Sequence, residues 1–246
     1  MRTARASASI PDTQRHGAES SAHASHFGQK LDAFERPLVV LIGGGTGVGK
    51  STVATQLARS LGITRVSSTD FIRQVLRSVV PEAIAPELSR SSFELDCDTS
   101  RNGSQRHAEF ERQARQVLVG VQATIERAVA ERMPLIVEGI HLLPELVDMD
   151  AVPDALVVYV VLAVEDADEH WNRFGGRAGA KRPAGRYQSN LDRIRELQDH
   201  VVATAHRTGA PVFANRQVET TVRDVLDVIF AAVDELPARS VGQVPG

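Results

Sequence analysis

The stretch that decides the fold is GGGTGVGKST, residues 43–52 of a 246-residue chain. The pattern G-x-x-x-x-G-K-[ST] is met by four of its residues: Gly44, Gly49, Lys50 and Ser51. An apolar run, LVVLI at residues 38–42, precedes the stretch, and apolar residues at every fourth position follow it at 53, 57 and 61. A strand, a glycine-rich turn and a helix in this order predict a phosphate-binding loop, because inward N–H groups and the positive helix end hold phosphate oxygens.

The loop indicates a bound nucleoside triphosphate. We expect Lys50 to reach the β- and γ-phosphates and the Ser51 hydroxyl to bind Mg²⁺. The nucleotide is expected to contact eight loop residues: Gly45, Thr46, Gly47, Val48, Gly49, Lys50, Ser51 and Thr52. The sequence holds neither Asn-Lys-x-Asp nor Asp-x-x-Gly, the motifs of GTPases, so ATP is the expected nucleotide.

Composition limits the classes to which the protein can belong. Hydrophobic residues make up 42% and charged residues 24%, as in a globular domain. The net charge of −3 provides no general attraction for nucleic acid, and no stretch is apolar enough to span a membrane. The single cysteine, Cys97, excludes an internal disulfide and is typical of the cytoplasm. We expect a cytoplasmic protein with a small anionic substrate and no nucleic-acid or membrane partner, its oligomeric state left open.

The chain divides into a central domain and two tails. Residues 1–36 are rich in Ser, His and Gly and are expected to be a disordered tail, as are residues 237–246. Between them, at 37–236, short apolar runs alternate with helical patterns. The expected strands are 38–42, 64–68, 135–137, 155–162 and 212–213. Such alternation predicts an α/β fold with a central parallel sheet flanked by helices.

Polar residues that follow the strands are expected to meet at one edge of the sheet, where ligands bind. After the second strand, Asp70, Arg73 and Arg77 share a helix face. A carboxylate beside two guanidiniums suits a substrate that offers a hydroxyl and an anionic group. A plainer interpretation stays open, in which Ser68 or Thr69 caps the helix and the arginines are solvated.

Three further candidates follow later strands. Glu138, after the third strand, is expected to hold a water of the Mg²⁺ shell or to contact the substrate, so Ser51 and Glu138 are the candidate metal residues. His141 either donates to an anion or packs as a structural histidine. Asn215, after the last strand, either contacts the nucleotide base or only closes a turn.

A basic segment predicts a lid. Residues 171–190 hold no acidic residue but five basic ones and four glycines. We expect a lid segment at about residues 166–190 that closes over the triphosphate, with Arg173 or Arg182 neutralising charge on the γ-phosphate. Arg195 precedes Asp199 by four residues, the less favourable order for an exposed helical pair, so Arg195 is expected to face the site.

Four blocks of the sequence together resemble the 2-phosphoglycerate kinase family. They read IGGGTGVGKST at 42–52, LGITRVSSTDFIR at 61–73, IVEGIHLLP at 136–144 and IRELQ at 194–198, and the resemblance covers about residues 38–215. It implies an ATP- and Mg²⁺-dependent kinase that makes 2,3-bisphosphoglycerate from 2- or 3-phosphoglycerate. It also implies a P-loop kinase fold with a helical substrate-covering region and a basic lid. The substrate would then contact six residues: Asp70, Arg73, Arg77, Glu138, His141 and Arg195.

Two alternative functions remain open. The chain would then be either a P-loop kinase of another small hydroxy acid or nucleotide, or an ATP-binding regulatory switch. A switch needs no second anion site, so Asp70, Arg73 and the lid segment favour an enzyme.

Overall fold

The computed structural model describes residues 36–95, 107–148, 152–175 and 184–235, and these ranges contain five strands and seven α-helices. The strands are β1 (Leu38–Gly44), β2 (Val66–Ser68), β3 (Leu135–Glu138), β4 (Leu156–Ala163) and β5 (Val212–Ala214). The helices are α1 (Lys50–Leu61), α2 (Thr69–Val79), α3 (Ala108–Ala130), α4 (Ala167–Gly175), α5 (Ala184–Gln188), α6 (Leu191–Thr208) and α7 (Val218–Asp234). Two short 3₁₀ turns, Pro86–Ser89 and Ser92–Glu94, lie between α2 and α3.

The strands form one parallel sheet in the order β2-β3-β1-β4-β5. Glu138 of β3 pairs with Ile42 of β1 on one side and with Ser68 of β2 on the other. β2 and β3 therefore end level with Ile42, two residues before the end of β1, and the residues that follow the three strands leave the sheet at the same edge. The expected parallel sheet flanked by helices is confirmed.

Alternate residues of the central strand point into two separate cores. Val39 and Leu41 of β1 face one core, and Val40 and Ile42 face the other. The first core includes residues of α3 and α6, among them Phe110, Val117, Ile194 and Val201. The second includes residues of α1 and α7, among them Val53, Leu57, Val225 and Ile229. Both faces of the sheet are thus covered, as the apolar strand sequences require.

The helices that begin at the sheet edge have distinct starts. Gly49, with φ of 92°, lies in the left-handed region directly before α1. The hydroxyl of Ser68 accepts a hydrogen bond from the N–H of Phe71 at 3.1 Å. This cap begins α2 at Thr69, so the capping interpretation of Ser68 is correct, and Asp70 lies in the first turn of the helix.

Several expectations concern residues at the ends and gaps of the described ranges. The tails expected at 1–36 and 237–246 lie outside the described residues, apart from Arg36. The middle of the lid segment, residues 176–183, which includes Arg182, also lies outside them. The flanks of the lid segment include the helices α4 and α5. Among the helices that the structure describes, none combines the length and the apolar character that crossing a membrane requires.

Candidate active site

A cavity of about 700 Å³ opens where β1, β2 and β3 end. Residues of the phosphate-binding loop line one part of it, including Thr46, Gly47 and the run 49–52. Residues of α2 and of the segment between α2 and α3 line another part: Asp70, Phe71, Arg73, Gln74, Arg77, Ser89, Ser91, Ser92 and Phe93. The loop and the α2 arginines thus share one space.

The loop has the backbone geometry of a phosphate cradle. Gly47 has φ of 87°, and a side chain there would also meet the ring of Phe174, whose Cζ lies 2.5 Å from the position of a Cβ atom. The ammonium of Lys50 donates to the carbonyl of Gly45 at 2.7 Å, and only 9% of the Lys50 surface is exposed. The cation is therefore held inside the curve of the loop, as a lysine that binds phosphate must be.

Ser51 and Glu138 meet beside the loop. The Ser51 hydroxyl donates to Oε1 of Glu138 at 2.9 Å, although 87 residues separate them in sequence. Both line the cavity, and Glu138 is 7% exposed. Hydroxyl and carboxylate oxygens are the ligands that Mg²⁺ prefers, so this pair fits the expected metal chemistry.

The α2 wall brings together the predicted acceptor residues. Nε of Arg73 lies 3.8 Å from Oδ1 of Asp70, and both side chains line the cavity. Arg73 also donates through Nη1 to the carbonyls of Leu88 at 2.6 Å and Arg90 at 3.1 Å. Arg77 lies one turn farther along, is exposed, and is 3.5 Å from Gln74. Arg73 is thus fixed by backbone carbonyls, whereas Arg77 is held weakly.

His141 does not line the cavity. Its ring is fully buried, and Nδ1 lies 2.8 Å from the hydroxyl of Thr69. Burial lowers the pKa of His141 to about 4, so the ring is neutral at pH 7. Next to it, a Cβ atom at Gly139 would overlap the Thr69 hydroxyl, so the chain needs a glycine there. Of the two interpretations of His141, the geometry favours the structural one.

Asn215 and Arg173 lie behind the phosphate-binding loop. The amide of Asn215 donates to the carbonyl of Val48 at 2.7 Å, and Asn215 is 1% exposed. Arg173 donates to the same carbonyl at 3.1 Å, to the carbonyl of Asn215, and pairs with Glu169. Neither residue lines the cavity. Both fix the loop conformation from its outer side.

Arg195 is also turned away from the cavity. It donates to the carbonyls of Val164 at 3.4 Å and Glu165 at 2.9 Å, directly after β4. Arg195 therefore forms its hydrogen bonds with the end of β4, which explains why it need not be in the favourable order with Asp199. Sequence spacing shows on which face of the helix Arg195 lies. It does not show that the guanidinium donates its hydrogen bonds to backbone carbonyls there.

Two further residues at or beneath the cavity are not among those that the sequence pattern indicates. Arg186 of α5 lines the cavity, pairs with Glu94 and lies 5.5 Å over the ring of Phe93. It lies in the predicted lid segment, in which Arg173 and Arg182 are the residues expected at the γ-phosphate. Gln113 on α3 is fully buried. Its signal was a glutamine three residues after Phe110, on the apolar face of the helix.

The chain matches one family model and several known kinases. Residues 24–141 match the Zeta toxin family. The chain is 36% identical to a 2-phosphoglycerate kinase of Pyrococcus horikoshii over 212 residues, which are 85% of this chain and 70% of that protein. It is also 36% identical to a 2-phosphoglycerate kinase of Thermococcus kodakarensis over 213 residues, 85% of this chain and 72% of that protein.

Among solved structures, the chain is similar to the shikimate kinase of Acinetobacter baumannii in complex with shikimate. The sequence identity is 16% and the TM-score 0.48, over 84% of this chain and 99% of that one.

Proposed function

The chain belongs to the 2-phosphoglycerate kinase family, and from this premise we propose that it transfers the γ-phosphoryl group of ATP to the free hydroxyl of 2- or 3-phosphoglycerate. The product is 2,3-bisphosphoglycerate. Family membership makes the chain a small-molecule kinase of the P-loop type. One observation carries the choice of acceptor: the phosphate-binding loop and the Asp70–Arg73 pair line the same cavity.

The donor side binds ATP and Mg²⁺ in this proposal. Loop N–H groups and Lys50 hold the β- and γ-phosphates, and the oxygens of Ser51 and Glu138 hold the metal directly or through water. The metal, when bound, neutralises charge on the phosphates. Ser51 and Glu138 already lie 2.9 Å apart, so little rearrangement precedes binding.

The acceptor side binds a molecule with two anionic groups and one hydroxyl. Arg73, Arg77 and Arg186 supply positive charge for the carboxylate and the phosphate. Asp70, whose side chain is 57% exposed, accepts the proton of the acceptor hydroxyl while the hydroxyl oxygen forms its bond to the γ-phosphorus. The bond from the γ-phosphorus to the bridging oxygen breaks, and ADP leaves with the electron pair.

The remaining predicted residues act through the loop and the lid segment. Arg173 and Asn215 hold the carbonyl of Val48 outward, which keeps the loop N–H groups directed at the phosphates. In this proposal Arg182 is a lid residue that meets the γ-phosphate. The kinase domain spans residues 37–236 in this proposal and works in the cytoplasm, for which the single cysteine, Cys97, is typical.

An ATP-consumption screen tests the proposal. Purified full chain is incubated with ATP, Mg²⁺ and single acceptors: 2-phosphoglycerate, 3-phosphoglycerate, glycerate, other hydroxy acids and nucleoside monophosphates. We expect ADP release above background with a phosphoglycerate, and ³¹P NMR should show a second phosphomonoester on the product. Release with another acceptor only would contradict the proposed substrate, and a change in partner binding without turnover would favour a switch.

Two variants distinguish a catalytic role of the Asp70 carboxylate from a general loss of protein stability. Asp70→Asn should lower kcat by about 100-fold or more, since general base catalysis contributes about 10²–10⁴-fold. Asp227→Asn, an exposed substitution on α7, is the matched control and should keep wild-type kinetics. Equal rates for Asp70→Asn and wild type would remove Asp70 from the reaction.

A further inference from the structure

A buried polar network lies beneath the acceptor part of the cavity. Its centre is Gln113 of α3, which is 0% exposed and surrounded by the apolar side chains of the first core. A polar amide costs free energy in such a place unless its donors and acceptor are satisfied. All of them are satisfied here, by groups from two other parts of the chain, the segment 87–92 and His141.

The carbonyls around Gln113 fix the orientation of its amide. Nε2 donates to the carbonyls of Glu87 at 2.5 Å and Arg90 at 2.9 Å. Carbonyls only accept hydrogen bonds, so the NH₂ group must face them and Oε1 must face the opposite way. Oε1 accepts from the hydroxyl of Ser92 at 3.0 Å and lies 3.1 Å from Nε2 of His141.

This orientation in turn fixes the tautomer of His141. Because Oε1 of Gln113 only accepts, Nε2 of His141 carries the proton. Nδ1 is then bare and accepts from the Thr69 hydroxyl at 2.8 Å. The low pKa of His141, caused by burial, agrees with a neutral ring that has one protonated nitrogen.

The network reaches the cavity through the segment 87–92. The carbonyl of Arg90 accepts from both Gln113 and Arg73, at 2.9 and 3.1 Å. Ser92, which donates to Gln113, lines the cavity itself. Gln113 therefore holds the segment that supports the guanidinium of Arg73, while His141 and Thr69 tie the same network to the ends of β3 and β2.

We propose that Gln113 is a positioning residue for the anionic acceptor, because it fixes the 87–92 segment and Arg73 through a single set of hydrogen bonds. The proposal rests on the proposed function only for the identity of the acceptor. Gln113 touches neither substrate. Its effect is expected chiefly on the acceptor, since the hydrogen bonds of Gln113 run to residues 87–92 and to His141 and not to the phosphate-binding loop.

Gln113→Glu tests the proposal with almost no change of shape. A carboxyl group at this buried site has at most one O–H to donate, so at least one of the carbonyls of Glu87 and Arg90 loses its donor. We expect the acceptor KM to rise about tenfold or more, as for misplacement of a binding group, with the ATP KM within about twofold of wild type. Gln198→Glu is the matched control, because buried Gln198 also bonds the backbone through both amide atoms, at Val164. It should lose similar stability in urea unfolding but leave the acceptor KM within about twofold.

The tautomer of His141 gives a second test that needs neither a variant nor an acceptor. ¹⁵N NMR of the wild-type protein at pH 7 should show a protonated Nε2 and a bare Nδ1 for His141. A protonated Nδ1 or a charged ring would overturn the network. For Gln113→Glu, an unchanged acceptor KM or equal rises in the acceptor KM and the ATP KM would overturn the proposal. If Gln113→Glu does not fold, Thr69→Val replaces it, with a several-fold rise in acceptor KM expected from one lost hydrogen bond. Failure of both phosphoglycerates as acceptors would refute the proposed function and leave the tautomer result standing.

Discussion

Replacing Gly120 by alanine should lower the free energy of unfolding, against the usual effect of this change inside a helix. Glycine in the middle of a helix is less favourable than alanine by about 1 kcal/mol. Gly120, however, lies in α3 where α2 crosses it, and a Cβ atom there would lie 2.5 Å from Cγ2 of Ile72. That methyl group is attached directly to the Cβ of a stiff, β-branched side chain and has little room to move.

The magnitude follows from two opposing terms. Overpacking of a tight core costs about 1–3 kcal/mol, from which the helix gain of about 1 kcal/mol is subtracted. We therefore expect Gly120→Ala to lower the free energy of unfolding by up to about 2 kcal/mol in urea titrations. Ile72→Ala removes the obstructing methyl group. In that background, Gly120→Ala should instead raise stability by about 1 kcal/mol.

The reversal of sign is the decisive result. Ala123→Gly, an exposed position on the same helix, is the control that measures helix propensity alone, and it should cost about 1 kcal/mol. If Gly120→Ala stabilises the protein in both backgrounds, the close approach of α2 and α3 is not as described. The approach matters for function because α2 carries Asp70 and Arg73 and α3 carries Gln113.

The remaining predictions concern the loop, the metal and acid stability. Lys50→Ala should lower kcat/KM about 10³-fold, because it removes a charge held at the transferring phosphate; a loss under about tenfold in steady-state assays would contradict this role. Glu138→Gln should raise the Mg²⁺ concentration for half-maximal activity about tenfold in a Mg²⁺ titration, and an unchanged titration would exclude Glu138 from the metal site. Asn215→Ala should raise the ATP KM more than the acceptor KM, since Val48 loses a donor; the opposite ratio would refute its position behind the loop. Burial lowers the pKa of both His141 and His200 to about 4, so the unfolded chain binds protons between pH 6.5 and 4 that the folded chain does not. The free energy of unfolding should fall by several kcal/mol across that window in urea titrations, and a flat profile would show that these rings are solvated.

The strand, phosphate-binding loop and helix could be predicted from the sequence because their residues are local. The loop pattern, the strand before it and the helix after it occupy residues 38–61, and their geometry follows from glycine and helix-end chemistry. The meeting of Ser51 and Glu138 also followed, since parallel strands end at one edge of the sheet. Pairing of Glu138 with Ile42 supplies that proximity.

The side-chain directions beyond the strand ends could not be predicted. His141 and Asn215 follow strands and Arg195 lies on α6, yet each turns toward protein groups rather than the cavity. Their partners are backbone carbonyls or buried side chains up to 167 residues away in sequence. Arg186 was missed for the same reason, because its partner Glu94 is 92 residues away. Residue type and spacing carry no information about such partners.

Thr69 and Gly139 form a coupled pair, although 70 positions separate them. The threonine hydroxyl occupies the space that any side chain at 139 would need, and the same hydroxyl serves His141. Mutational scanning one position at a time would therefore score position 139 as intolerant, and would miss the combinations with position 69 that are compatible. A variant library that aims to reshape the cavity beside Gly139 has to vary residues 69 and 139 jointly. It should start from pairs in which residue 69 is smaller than threonine and residue 139 carries a side chain.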